Sequence, residues 1–138
     1  MLKQVPVNID LKTVQEQNNE LEEFELAEVG ELTQKDETLY LRYNESNNEA
    51  KTTLKIRQDE LLLTRQQANM SLQLKLKKGE LLGAKYKTAY GVILLNAKCL
   101  AYDFIRQSET SGQLEAKYEL YSGEELLGKY KLELQFKA

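Results

Sequence analysis

The sequence predicts an all-β protein, a single antiparallel up-and-down β-barrel of about eight to ten strands. Three observations carry that expectation. Apolar and polar residues alternate through most of the chain, most cleanly over Met70-Ser71-Leu72-Gln73-Leu74-Lys75-Leu76 and Tyr130-Lys131-Leu132-Glu133-Leu134-Gln135-Phe136. Successive side chains on a strand point to opposite faces, so each segment buries one face and wets the other, as antiparallel strands do. The segments between are short and rich in Gly, Asn, Asp and Ser, which favours a meander over a sandwich with long crossovers. At 138 residues the chain has the length of one domain, taken as 1–138. A chain of that size hides about two-thirds of its unfolded surface and needs neither disulfide nor metal to be stable.

Val5, Val7, Ile9 and Leu11 alternate along the first strand, and Pro6 on its other face suggests an edge or a strand start. Gln15 to Glu20 reads as a polar turn, after which Phe24 and Leu26 alternate with Glu23 and Glu25 until Gly30 and Thr33 to Glu37 interrupt. A helix over 17–32 is the rival reading, because leucine and glutamate are frequent there. Thr38 to Tyr43 is a third strand, Asn44 to Asn48 a turn, Leu54 and Ile56 mark a fourth, and Asp59-Glu60 connects to a fifth. That fifth strand places Leu61, Leu63 and Arg65 on one face. Two strands, Met70 to Leu76 and Ala84 to Tyr90, flank Lys78-Gly79-Glu80. Val92 to Cys99 is apolar on both faces and is expected to be more fully buried. After a loop at Ser108 to Gly112, a last hairpin joins Leu114 to Tyr121 with Leu126 to Phe136. The echo between the segments that open at Gly79 and Gly123 reads as two glycine turns, with a duplicated half-barrel as the alternative.

Composition excludes more chemistry than it suggests. The chain has no histidine and one cysteine, Cys99, so it lacks a His general base, a Ser-His or Cys-His pair and a Cys or His zinc set. No cofactor is expected, and the protein is read as a non-enzyme. A formal charge of −3 gives no push toward nucleic acid or an anionic membrane. The first residues hold no unbroken apolar run, and no stretch approaches membrane-spanning length, so the expected address is the cytoplasm. Cys99 reads as a buried structural thiol.

The order of these elements, with Leu39-Tyr40-Leu41-Arg42-Tyr43-Asn44-Glu45, Thr64-Arg65 and Tyr86-Lys87-Thr88-Ala89-Tyr90-Gly91, resembles the YwiB-like group of uncharacterised bacterial proteins, a domain of unknown function. The resemblance covers nearly the whole chain. It implies a lipocalin- or calycin-like barrel in a small cytosolic protein, with no established activity and no agreed site. The glycine that the family pattern places two residues after the arginine is Gln67 here.

A barrel of about eight strands can hold one small ligand, which directs attention to polar residues on inward faces. Tyr86, Thr88 and Tyr90 read as one strand face, either lining a cavity or filling the core. Arg65 ends an apolar face, where it can bind a carboxylate or phosphate at the mouth, pair with a glutamate or reach solvent. Tyr43 shares a face with Leu39 and Leu41 and is its candidate neighbour. These five residues are the predicted site for a small apolar or amphipathic ligand. The alternative is a filled barrel whose outer face binds a protein or RNA partner or a second copy of itself. Lys75, Lys77, Lys85 and Lys87 gather on one outer face, as an interaction patch or as charges that defend an edge. Gly79 to Gly83 lacks the lysine and hydroxyl of a phosphate loop, and Glu22, Glu23, Glu25 and Glu28 lack calcium-loop spacing and read as a wet strand face.

Overall fold

The computed structural model describes residues 4–45 and 49–138. Ten strands follow one another: β1 Val5–Gln17, β2 Glu20–Lys35, β3 Thr38–Glu45, β4 Ala50–Ile56, β5 Glu60–Gln67, β6 Met70–Lys77, β7 Leu81–Thr88, β8 Gly91–Ser108, β9 Ser111–Ser122 and β10 Glu125–Lys137. Each pairs with the next, and β1 pairs with β10, so the sheet closes into an antiparallel up-and-down barrel as predicted. The β1–β10 ladder begins only at Asn8, so Pro6, the second residue of β1, is paired on one side alone, exposed and opposite Glu31, at a strand start as its position predicts.

The helix alternative over 17–32 is overturned. β1 and β2 pair without interruption from Val5↔Leu32 to Gln17↔Glu20, so the polar segment expected to be a turn is the end of a long hairpin. Its turn is only Asn18-Asn19, with φ of 55° and 65°. Asparagine tolerates that left-handed region, and two such residues in succession match the right-handed twist of the flanking strands. Gly30 continues β2 instead of breaking it. A Cβ there would run into the Arg42 carbonyl and the Ile9 side chain, so β2 can lie this close to its neighbours only with glycine at that position. Strand β3 runs through Asn44 and Glu45, where a turn was expected, and the rest of that expected turn, Ser46 to Asn48, lies outside the described residues.

Gly79 and Gly123 both take left-handed φ, 81° and 60°, and each opens into a strand. One turn precedes β7 and the other β10, strands that run in opposite directions around the barrel. Equivalent strands of two half-barrels would lie five apart in this ten-strand order, and β7 and β10 lie three apart, so the two segments read as similar turns.

Alternation decides what lies inside. Val7, Ile9, Leu32, Leu41, Leu54, Ile56, Leu61, Leu76, Leu114, Leu134 and Phe136 are all buried on inward positions and pack one end of the barrel solid. Phe104 and Phe136 stack there at 6.5 Å between ring centroids. The loop between β4 and β5 folds over this end. The Tyr102 hydroxyl lies 2.8 Å from both the Arg57 and Glu60 carbonyls and shares its proton between them, while Gln58 donates to the Phe104 carbonyl at 3.0 Å. The barrel therefore has a floor.

Strand β8 departs from expectation. Val92, Ile93 and Leu94 are 51%, 49% and 71% exposed: Val92 and Leu94 pair with Lys87 and Lys85 on the outer face, and Ile93, though of inward parity, stands at the far end of the barrel above the packed core. An apolar run on both faces signalled burial that the fold does not supply. Further along, register shifts between Cys99 and Ala101, which makes Leu100 the extra residue of a bulge and sets Tyr102 and Phe104 inward.

Candidate functional site

Toward the end opposite the floor the core gives way to a cavity of about 520 Å³. Its apolar wall includes Leu11, Phe24, Leu26, Leu63, Leu72, Leu74, Tyr118 and Leu132, and its polar lining includes Glu28, Tyr43, Glu45, Thr52 and Arg65. These positions follow from strand parity. Arg65 falls two and four residues beyond Leu63 and Leu61, and Tyr43 follows Leu39 and Leu41, so both enter the lumen as the alternation predicts.

The polar groups meet around β4, the strand between β3 and β5. Arg65 Nε donates to Glu45 Oε2 at 2.7 Å, and Nη2 reaches Oε1 at 3.4 Å. The guanidinium therefore pairs with a glutamate of the protein, one of the roles the sequence leaves open. Tyr43 is 6% exposed, and burial pushes its phenol up to about 12, with Glu45 and Glu28 adding to the rise and the Thr52 hydroxyl and Arg65 opposing it. Thr52 stands opposite Tyr43 in the β3–β4 ladder and is 2% exposed. Its hydroxyl lies near enough to the phenol to lower it as a hydrogen-bonding neighbour, yet Oγ1 is buried with no partner of ordinary geometry, the one such side-chain atom among the described residues. An unsatisfied buried hydroxyl costs about 1–3 kcal/mol, so a ligand that bonds it gains a matching advantage.

Tyr118 of the wall is backed by a second ring. Tyr118 and Tyr130 stack at 5.0 Å with 8° between their planes, and burial raises the Tyr118 phenol well above its ordinary range. Among the described residues no group of three His, Cys, Asp or Glu side chains is placed to hold a metal ion.

The structure does not bring Tyr86, Thr88 and Tyr90 to this cavity. Tyr86 has inward parity, but its hydroxyl turns to Met70 Sδ at 3.5 Å. Strand β7 ends at Thr88, whose hydroxyl donates to the Gly91 carbonyl and accepts from the Tyr90 amide, both at 3.1 Å. Tyr90 lies in the turn and is fully exposed, so the single face predicted for the three does not exist. Thr88 lines a separate groove of about 850 Å³ at the rim. The left-handed position of the β5–β6 turn is Ala68, with φ of 38°, and Gln67 closes strand β5.

Reasoning from sequence missed Thr52, Glu45 and Glu28. Thr52 shares parity with Leu54 and Ile56, and Glu45 shares parity with Tyr43, so both were within reach of the alternation that found Arg65. Glu28 was grouped with its neighbours as a wet face. It takes instead the parity of Leu26 and lines the cavity, whereas Glu23 and Glu25 alternate to the other face. Of the four lysines, Lys75 and Lys77 meet Glu60 and Glu80 at 3.8 and 3.5 Å on the outer surface.

No curated protein matches this chain. A crystal structure of the YwiB protein from Bacillus subtilis superposes with a TM-score of 0.84 at 20% identity, covering 98% of this chain and 92% of that one, which shows a shared fold. No helix among the described residues is long and apolar enough to cross a membrane. The family model described as a domain of unknown function, DUF1934, matches residues 9–134, and the chain belongs to that family.

Proposed function

We propose that the protein is a non-catalytic binding barrel that takes one small amphipathic molecule into its open end. The observation that carries this reading is the 520 Å³ cavity with the unsatisfied Thr52 hydroxyl in its wall. That volume falls in the range of about 300–1,000 Å³ typical of small-molecule sites, and a mostly apolar wall with a few convergent polar groups is their usual composition. Arg65 and Tyr43 belong to the polar end, together with Thr52 and Glu45. The absence of histidine and the commitment of Arg65 to Glu45 support binding over catalysis. A reducing cytoplasmic setting suits Cys99, which is buried and unpaired.

Native mass spectrometry of the purified protein tests the proposal. A retained small molecule, lost when Leu72→Trp fills the cavity, is the expected result. Retention that survives this substitution, or a protein that neither retains nor takes up any amphiphile, overturns it.

A second reading rests on the outer face of β8, where Val92, Leu94, Leu100 and Ile105 are each more than half exposed. A closed barrel has no free edge for strand addition, so a second copy of the chain would dock face to face. Sedimentation equilibrium should then give a dimer that Leu94→Lys dissociates, and a monomer at all concentrations removes this reading.

A further inference from the structure

The polar end of the cavity carries more acid than base. Glu28 and Glu45 stand on its wall against one cation among the described residues, Arg65. That cation is already engaged by Glu45 through both Nε and Nη2, and the two side chains are only 33% and 14% exposed. An incoming carboxylate would have to displace Glu45 from the guanidinium and settle beside Glu28. It would lose attraction and gain like-charge repulsion in a partly desolvated site. Tyr43 experiences the same field: burial comes first in keeping its phenol protonated, and both Glu45 and Glu28 act in the same direction.

The second observation does not depend on charge. Thr52 is 2% exposed, lines the cavity, and its Oγ1 has no hydrogen-bond partner of ordinary geometry, the neighbouring Tyr43 phenol being its nearest polar influence. Its oxygen can accept from a donor on the ligand, as the two carboxylates can, and buried polar groups of native proteins are rarely left unpaired.

Building on the proposal that the lumen holds an amphipathic molecule, we infer that the site selects a cationic amphiphile of the alkylamine class, its ammonium group donating to Glu28, Glu45 and Thr52 and its chain lying along Phe24 and Leu72. A fatty-acid carboxylate is the disfavoured ligand. Arg65 acts as a positioning residue that holds Glu45, and it is not the anchor for the ligand.

Calorimetric titration of the full chain at neutral pH with decylamine, decanol and decanoate, each below its micellar concentration, separates the possibilities. The amine is expected to bind roughly tenfold or more tightly than decanoate, with decanol between, since electrostatic complementarity sets the preference among chains of equal length. Glu45→Gln frees Arg65 and should narrow or invert that order, and Glu28→Gln should weaken the amine alone. Decanoate binding as tightly as decylamine, or an unchanged ratio in both variants, overturns the head-group inference and leaves the lumen reading standing. If none of the three binds, or if Leu72→Trp leaves amine binding intact, the lumen reading itself fails.

Discussion

Arg65 and Glu45 meet across a strand to which neither belongs. They sit on β5 and β3, the two neighbours of β4, and their 2.7 Å contact bridges over β4 inside the lumen. A partly buried pair of this kind costs more to break than to replace, because removing one partner leaves the other charge poorly solvated. Each of Glu45→Leu and Arg65→Leu should destabilise the protein more than the double substitution does. Urea unfolding of the four proteins should give a coupling energy on the order of 1 kcal/mol or more, and strict additivity would show that the pair does not stabilise the fold.

Gly30 and Gly83 make a matched comparison. A methyl group at Gly30 meets the Arg42 carbonyl and Ile9, whereas one at Gly83 meets nothing within 4 Å. Gly30→Ala is expected to cost about 1–3 kcal/mol through overpacking against backbone that cannot yield, while Gly83→Ala stays close to neutral. Denaturation midpoints compare the two directly. Equal midpoints would mean that β2 moves away freely.

Alkaline pH should unfold the protein through its tyrosines. Burial raises the phenols of Tyr43, Tyr102 and Tyr118, Tyr43 to about 12 from an ordinary 10.0. The unfolded chain releases these protons first, so the stability they provide is whole below pH 10.0, falls above it, and for Tyr43 is lost by about pH 12. Absorbance of phenolate followed against pH should show the phenolates of the buried three appearing only with loss of β-sheet signal. Tyr43→Phe should move the alkaline midpoint upward. Full ionisation of every tyrosine with the barrel intact would contradict this.

Cys99 supplies a probe of global opening. It is fully buried, burial raises its thiol, and its Sγ donates to the Ala101 carbonyl at 3.4 Å within the β8 bulge. A disulfide reagent should label the native protein roughly a thousandfold more slowly than the unfolded chain, with a rate that follows denaturant stability. Rapid labelling in the native state would mean that β8 opens locally at the bulge.

Strand parity was legible wherever the polar face was strictly polar: Arg65 after Leu61 and Leu63, Tyr43 after Leu39 and Leu41. It failed where a neighbour decides the outcome. Gly30 looked like a break because its role is to admit the Arg42 carbonyl, a contact with another strand. Tyr90 looked like a third member of the Tyr86 face because nothing local announces that the Thr88 hydroxyl bonds the Gly91 carbonyl and the Tyr90 amide to form a turn. Val92 and Leu94 are exposed because they take the outward parity of β8, and a run that is apolar on both faces carries no sign of which face is the outer one. The Arg65–Glu45 pair is of the same kind as the Gly30 contact, since each residue's parity was readable but their proximity required the barrel to close.

Among the described residues, the ladder between β1 and β10 is the only one joining strands that are not consecutive in the chain, and it begins at Asn8↔Lys137. Nine strands can assemble hairpin by hairpin from local contacts, but the seam must wait for β10. On the ribosome, then, this protein is an open sheet with two bare edges until β10 emerges. Its hazard of mispairing with other nascent chains is concentrated in that interval and ends when the seam shuts.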